Sequence, residues 1–167
     1  MTLQRVVSAV VVTMLVLVVG FASAQQAPPP PPAYGTPISL DQAKKVMMGA
    51  EAEAKKNNWN VVICVLDSGG NLVMLQRLDG AQFGSIEVAK EKAYSAVAYR
   101  RPTKAFQDAL AQGGENLRIL RLPGGSPLEG GIPIVVEGKL IGAVGVSGVT
   151  SAQDAQIGQA GITALTK

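Results

Sequence analysis

Two junctions between predicted elements carry side chains that could bind a charged small molecule. At the first junction, Arg100, Arg101 and Thr103 follow a predicted helix and form a compact cluster of hydrogen-bond donors. Arginine suits carboxylate recognition because its planar guanidinium makes two parallel hydrogen bonds. The alternative is that the arginines cap the helix and pair with acids at the surface.

The second junction is a turn that leads into the last predicted helix. Ser147 and Gly148 belong to this turn, and the helix N-terminus after it offers free backbone N–H groups and the positive end of a dipole. Such a terminus can hold a carboxylate or a phosphate. The competing interpretation is that Ser151 and Asp154 already satisfy those donors as helix caps.

The composition excludes several kinds of mechanism. The 167 residues include no histidine and one cysteine, Cys64, which lies in an apolar run and is predicted to be buried. These counts remove histidine-dependent catalysis, histidine-ligated metals, an intrachain disulfide and cysteine-rich metal sites. Glu87 and Glu91 stand four residues apart, as metal ligands can, but the neighbouring lysines favour a solvated surface. We therefore predict no metal site.

Three glycines, Gly142, Gly145 and Gly148, have a spacing that could suggest a nucleotide-binding loop. The pattern is G-x-x-G-x-x-G rather than G-x-G-x-x-G, and it belongs to a hairpin strand rather than to the start of a βαβ unit. We interpret the glycines within the strand as positions where another backbone approaches closely.

The first 37 residues are expected to lie outside the folded domain, which we assign to 38–167. Residues 1–24 combine Arg5, an apolar run and the motif Ala22-Ser23-Ala24. This order predicts a signal peptide cleaved after Ala24 and a periplasmic or secreted protein, with an uncleaved anchor as the alternative. Residues 25–37 include five successive prolines and predict a polyproline linker.

The mature chain is nearly neutral. Without residues 1–24 it keeps 14 basic and 12 acidic residues, a net charge of +2, and the basic residues form no stripe. Nucleic acid is therefore not an expected partner. No membrane span is expected once the signal peptide is removed.

The rest of the sequence predicts helices alternating with hairpins. Hairpins make a sheet antiparallel, and helices before, between and after them indicate an α+β fold. In the second helix, small apolar residues face inward, whereas Lys90 and Lys92 are expected to point largely outward. Thr103 is the expected cap of the third helix and Ser151 that of the fourth. The predicted elements are helices over 40–57, 85–99, 103–112 and from 151, and strands over 61–66, 72–78, 132–136 and 140–146.

The motif order from Val61 to Leu165 resembles the GlcG/HbpS family of haem-degrading-type domains, which also form the C-terminal part of PduO-like proteins. No single segment is specific, but the series covers nearly all of the folded part in the right order. The segments that carry the resemblance are Val-Leu-Asp67-Ser-Gly-Gly70-Asn-Leu, Arg77-Leu-Asp79-Gly, Ser85, Lys92-Ala93, Arg100-Arg101-Pro102-Thr103, Pro127-Leu-Glu-Gly130-Gly131-Ile-Pro133, Gly142-Ala-Val-Gly-Val-Ser147-Gly148 and Gln153-Asp154.

The resemblance implies a profilin-like fold with a five-stranded antiparallel sheet flanked by helices on both sides. Four strands are evident, so the fifth is expected within residues 115–122. The resemblance also implies a homo-oligomer, often an octamer, and for exported members haem binding and redox sensing beside a membrane sensor protein. Many relatives carry a histidine in the turn where this chain has Asn71. Any axial iron ligand here would be Met, Tyr, Cys or a weaker group such as Thr or Lys.

These observations predict an exported, oligomeric protein that binds a small ligand and is not a classical enzyme. Haem is the ligand that the resemblance implies, and the arginines would pair with its propionates. One alternative is an enzyme acting on a small hydroxy- or keto-acid through a carboxylate such as Asp154. Another is a scaffold that contacts a membrane sensor. The predicted ligand-binding residues are Arg100, Arg101, Thr103, Glu129, Gly131, Ser147, Gly148 and Asp154.

Overall fold

A five-stranded sheet separates two layers of helices. The computed structural model describes residues 29–165, so the predicted signal peptide and the start of the linker lie outside the described residues. Within that range no helix has the length and apolar character needed to cross a lipid bilayer. The elements in chain order are β1 Ala33–Tyr34, α1 Leu40–Lys56, β2 Val62–Asp67, β3 Leu72–Arg77, α2 Ser85–Tyr99, α3 Lys104–Ala111, a 3-10 helix Gly114–Arg121, β4 Gly131–Val136, β5 Lys139–Ser147 and α4 Ser151–Leu165.

Strand β5 lies at the centre of the sheet. It pairs antiparallel with β4 and with β2, and β3 pairs antiparallel with β2. The α+β class and the five strands are confirmed. The expectation of a purely antiparallel sheet is wrong, because β1 runs parallel to β5, with Ala33 opposite Lys139 and Tyr34 opposite Leu140. No hairpin joins β1 to β5, so nothing in the connection imposes an antiparallel direction.

The fifth strand does not come from the segment where it was expected. Residues 115–122 lie mostly in the 3-10 helix, whose Leu117 and Leu120 are exposed while Ile119 is buried. Residues three apart share a face of a 3-10 helix, so this spacing suits the helix better than a strand. The fifth strand is instead the dipeptide Ala33–Tyr34, which lies between prolines in the predicted linker and keeps its backbone N–H groups.

The two faces of the sheet have separate cores. Helices α1 and α4 pack against each other and cover one face, where Val46, Ile63, Val144 and Ile157 are fully buried. Helix α2 covers the other face with a stripe of alanines. The close approach expected at the strand glycines is confirmed at Gly145, where a side chain would collide with the Ala89 carbonyl of α2.

Candidate functional site

A buried ion pair lies beneath the predicted site. The Lys92 Nζ atom is 2.7 Å from Asp154 Oδ2 and donates to the Val146 carbonyl at 2.9 Å. Lys92 is 2% exposed, so the expectation that it points outward is wrong. Its place on the helix explains this, because Ala89 and Ala96, three residues before and four after it, are both buried and lie on the same face.

Asp154 is engaged through both carboxylate oxygens. Its Oδ1 accepts a hydrogen bond from the Val149 amide at 3.2 Å, and its Oδ2 faces Lys92. Burial raises the pKa of the Asp154 carboxyl, and the hydrogen bond from Lys92 opposes that rise. The residue therefore ties the turn before α4 to α2, and both of its oxygens are bonded within the protein.

The N-terminus of α4 is capped only in part by the residues expected. Gln153 N–H approaches Thr150 Oγ1 at 3.4 Å, and the Thr150 amide donates to Gln153 Oε1 at 3.2 Å. The Ser151 side chain makes no capping hydrogen bond within residues 29–165, so that expectation is wrong, whereas Asp154 does satisfy the Val149 amide while its other oxygen faces Lys92. The helix N-terminus predicted to hold an anion thus has two of its turn amides, Val149 and Thr150, already bonded to side chains.

Thr103 forms a second buried connection. The Gly131 amide donates to Thr103 Oγ1 at 3.0 Å, and the Thr103 amide donates to the Gly131 carbonyl at 3.0 Å. Thr103 occupies the N-cap position of α3, as predicted, but its side chain makes no capping hydrogen bond. Gly131 must be glycine because a side chain there would collide with the Lys92 carbonyl and the Thr103 methyl.

The two arginines diverge instead of forming one carboxylate site. Arg100 ends α2 in the left-handed conformation, donates to the Pro32 carbonyl at 3.3 Å and lies 5.4 Å from the Tyr34 ring centre. Arg101 donates to the Tyr99 carbonyl and packs over a different ring, that of Phe106. Arg100 therefore holds the β1 segment against the domain.

A groove of about 340 Å³ opens beside the buried ion pair. Glu129 and Gly131 line it, and its Lys104 is held 2.7 Å from Asp108. Thr103 and Asp154 contact its glycines from below, whereas Ser147 is buried against Ser85 away from the groove. The groove is lined by Pro102, Lys104, Glu129, Gly130, Gly131, Ile132, Ala152, Ala155, Gln156 and Gln159.

Gly148 lies apart from the groove as well. A side chain at Gly148 would collide with the Asn60 carbonyl and with Val61 at the start of β2. The structure therefore brings together four of the eight predicted residues, Thr103, Glu129, Gly131 and Asp154.

A second cavity, which we name the tyrosine pocket, lies between the β2–β3 turn and α2. Its volume is about 280 Å³. The Tyr94 ring lies between two glycines, since a Cβ atom would be 3.2 Å from the ring at Gly70 and 2.5 Å at Gly124. A side chain at either position would crowd the ring and displace it. The pocket is lined by Leu66, Gly70, Leu72, Glu87, Lys90, Glu91, Tyr94 and Gly124.

Tyr94 differs from the other two tyrosines in its hydroxyl. Tyr34 donates its hydroxyl to the Val97 carbonyl, and Tyr99 donates to the Pro123 carbonyl at 2.7 Å. The Tyr94 hydroxyl has no hydrogen-bond partner among residues 29–165, and the side chain is 46% exposed. The pocket thus holds a positioned phenol with its bonding capacity unused.

None of the predicted site residues lines this pocket. The turn that holds Asn71 contributes Gly70 and Leu72 to the lining. Asp67 fixes this turn by accepting hydrogen bonds from the Gly69 and Asn71 amides at 2.8 and 2.9 Å. Burial opposes ionisation of Asp67, but these bonds and that of the Asn71 side chain hold the pKa of its carboxyl below the ordinary value.

The rim of the tyrosine pocket carries two carboxylates and one ammonium group. Lys90 lies 2.9 Å from Glu87, and the hydrogen bond that Lys90 donates to this carboxylate raises the pKa of Lys90. Glu91 makes no ion pair within the described part of the chain. An anionic group entering here must compete with Glu87 for Lys90.

The fold and its cavities define the class of this protein: a three-layer α+β domain with open pockets of small-molecule size. The family model described as "Haem degrading protein HbpS-like" matches residues 38–163. The chain belongs to this HbpS-like family, as the motif order indicated.

Known relatives agree with this assignment. Protein GlcG of Escherichia coli K12 is 41% identical over 110 residues, which cover 66% of this chain and 81% of GlcG. The crystal structure of HbpS aligns with a TM-score of 0.71 at 32% identity, over 78% of this chain and 92% of HbpS. The crystal structure of a PduOC–haem complex aligns with a TM-score of 0.70 at 27% identity, over 77% of this chain and 95% of PduOC.

Proposed function

We propose that this protein binds haem in the tyrosine pocket, with the Tyr94 hydroxyl as the iron ligand. The observation that carries the proposal is the unbonded Tyr94 hydroxyl, held by a glycine on each side in a mainly apolar cavity. Tyrosine is an established haem ligand in proteins. Similarity to a PduOC–haem complex and membership of the HbpS-like family support the choice of ligand.

The donor set of the chain favours Tyr94 over other ligands. The sequence has no histidine, and burial raises the pKa of Cys64 to about 12, so its thiolate is not available at neutral pH. The hydroxyls of Tyr34 and Tyr99 are bonded to carbonyls. The groove beside the Lys92–Asp154 pair has no Tyr, Met or Cys in its lining. The residues of the tyrosine pocket fit haem better than those of the groove.

The remaining residues of the pocket would hold the macrocycle. Leu66 and Leu72 offer apolar contact to its face, and Lys90 is the lining cation that could reach a propionate. Bound haem supplies an iron centre that cycles between ferric and ferrous states. At about 280 Å³ the pocket is smaller than sites that enclose a ligand, roughly 300–1,000 Å³. We therefore propose that it covers one face of haem and that a second copy in a homo-oligomer covers the other.

The predicted signal peptide extends this proposal to the cell envelope. A periplasmic or secreted haem-binding protein could pass a haem or redox signal to a membrane sensor. Fractionation of the native host, followed by N-terminal sequencing of the mature protein, tests the cleavage after Ala24 on which export depends. A mature N-terminus at Met1 contradicts it.

Titration with haemin tests the binding site. We expect saturable binding with a shifted Soret band, and a phenolate-to-iron charge-transfer signature in resonance Raman spectra. In Tyr94→Phe the signature should vanish and affinity should fall about tenfold or more, because the iron loses its ligand. The matched control is Tyr99→Phe, which removes a hydroxyl from the same helix and should keep both the signature and the affinity.

Two results contradict the proposal. If the wild-type protein gives no saturable Soret change, it does not bind haem. If Tyr94→Phe binds haemin with the wild-type spectrum and affinity, haem is held elsewhere. Circular dichroism spectra of the three proteins show whether each is folded.

A further inference from the structure

A third cavity, which we name the tryptophan cavity, lies where the ends of α1 and β3 meet. Its volume of about 370 Å³ falls within the range of small-molecule sites, roughly 300–1,000 Å³. It is the most polar of the three cavities, and neither the predicted site nor the haem proposal uses its residues. The cavity is lined by Glu51, Lys55, Asn58, Trp59, Asn60, Gln76, Arg77, Leu78 and Asp79.

The loop that forms one wall has a fixed backbone. The Asn58 amide donates to the Lys55 carbonyl at 3.1 Å, and the Trp59 amide donates to the Ala54 carbonyl at 2.9 Å. Asn58 adopts a left-handed conformation with φ of 55°, which asparagine accepts more readily than most residues. The Trp59 side chain packs in part against the core under α1. The wall is thus ordered before a ligand arrives, which lowers the entropy cost of binding.

Four side chains of this cavity have polar groups without protein partners. The Trp59 indole N–H, the side-chain amides of Asn58 and Asn60, and the Asp79 carboxylate make no hydrogen bonds within residues 29–165. Together they offer donors and acceptors beside an aromatic surface. A hydroxyl group both donates and accepts hydrogen bonds, so a ligand with several hydroxyls could use this mixture.

The charges of the cavity balance. Glu51 forms an ion pair with Lys55, and hydrogen bonds from Lys55 and Gln76 lower the pKa of Glu51, so it is ionised at neutral pH. Arg77 donates to the Ala81 carbonyl at 3.2 Å, and Asp79 supplies the second negative charge. Two acids and two bases give no net charge, so an ionic ligand would meet repulsion as well as attraction.

We propose that the tryptophan cavity binds a neutral polyhydroxylated molecule of about monosaccharide size. The apolar C–H face of the ligand would lie against Trp59, and its hydroxyls would bond to Asn58, Asn60 and Asp79. The site shares no lining residue with the tyrosine pocket, so the two proposals are independent.

Intrinsic fluorescence provides a direct test, because Trp59 is the one tryptophan of the sequence. Haem-free protein is titrated with D-glucose, D-galactose, N-acetylglucosamine and glycerol, each up to high millimolar concentration, and calorimetry repeats any titration that responds. We expect a saturable change in Trp59 emission with at least one of these neutral compounds. In Asp79→Ala and in Asn60→Ala the affinity should fall about tenfold, because each loses a hydrogen bond to the ligand.

The controls distinguish a site from a general solvent effect. Asp41→Ala removes an exposed carboxylate at the other end of α1 and should leave the affinity unchanged. Glucuronate and glucosamine keep the pyranose ring of glucose and carry opposite charges, and both should bind more weakly than glucose. A linear, non-saturating response to every neutral compound overturns the proposal, as does equal binding by wild type and Asp79→Ala. Tighter binding of glucuronate or glucosamine than of glucose shows that the ligand is not neutral and overturns the proposal.

Discussion

Lys92 and Tyr94 lie two residues apart on α2 and illustrate two uses of a polar side chain. Lys92 points into the protein, is 2% exposed, and binds Asp154 and the Val146 carbonyl. Tyr94 points into an open pocket, is 46% exposed, and has no hydrogen-bond partner in the described part of the chain. The first region connects β5, α2 and α4, whereas the second leaves a functional group free.

This difference separates residues that hold the fold from residues that can bind. Asp154 and Thr103 have the chemistry of a ligand site, but their hydrogen bonds are used within the protein. A buried group with all its partners in place has little left for a ligand, and breaking those bonds carries a desolvation cost. We infer that binding in this domain takes place at side chains whose bonding capacity is unused.

The largest expected effect comes from breaking the buried pair. Lys92→Met leaves the Asp154 carboxylate buried without its cation and should lower the free energy of unfolding by about 3–5 kcal/mol. Urea denaturation measures this change. Because burial already raises the pKa of Asp154, removing Lys92 should raise it further. The variant should therefore regain stability as the pH falls and Asp154 is protonated.

Two further variants test whether loss of the Lys92–Asp154 pair causes the expected loss of stability. Lys90→Met removes an exposed lysine two residues away and should leave the unfolding midpoint unchanged. The double variant Lys92→Met/Asp154→Leu should recover part of the loss, since no unpaired charge remains. If Lys92→Met is as stable as Lys90→Met, the buried pair does not hold the fold.

Much of the architecture is predictable from local patterns. Helix α1 begins at a capping box of Ser39 and Gln42, a tight turn after Asp67 joins β2 to β3, and alanines recur at helical spacing in α2. Each of these patterns involves residues close together in sequence, and the predicted helices and strands coincide with these elements. The position of the fifth strand is not predictable in this way, because a strand of two residues is too short to show an alternation of apolar and polar side chains. Ala33–Tyr34 form a strand only because β5 offers them a partner more than a hundred residues away.

The candidate site was harder to predict for a different reason. Sequence shows that Thr103 and Asp154 are polar, but the folded structure decides whether partners such as Gly131 and Lys92 use them. The burial of Lys92 could be predicted from sequence, since Lys92 shares a helix face with Ala89 and Ala96. Sequence does not show which tyrosine hydroxyl is free, because the carbonyls that bind those of Tyr34 and Tyr99 are distant along the chain.

The second-largest expected effect is a loss of stability at the β2–β3 turn, which forms a wall of the tyrosine pocket. Asp67→Ala removes the hydrogen bonds to Gly69 and Asn71 and should cost about 1 kcal/mol at neutral pH, since solvent weakens bonds at this partly exposed site. The pKa of Asp67 is lowered in the folded protein. Its contribution to the free energy of unfolding is therefore fully present above the pKa of the unfolded chain, about 4, and is lost as the pH falls through the pKa of the folded protein.

Urea titrations of wild type and Asp67→Ala across the acidic range measure this dependence. The difference between the two proteins should shrink as the pH falls, whereas Asp41→Ala, which changes a largely exposed carboxylate, should show little difference at any pH. A constant difference from neutral to strongly acidic pH would show that the side chain, and not its charge, stabilises the turn.

The smallest effect should appear at the rim of the tyrosine pocket, and it should strengthen binding. Glu87 holds Lys90 at 2.9 Å and adds negative charge where an anionic propionate would approach. Glu87→Gln frees the ammonium and removes the repulsion, so the affinity for haemin should rise about threefold at low salt and less at high salt, as screening predicts. Glu115→Gln, which changes an exposed acid outside the pocket lining, is the control and should leave affinity unchanged. Equal affinity in wild type and Glu87→Gln would place the propionates away from Lys90, whereas weaker binding in Glu87→Gln would mean that Glu87 itself supports the ligand.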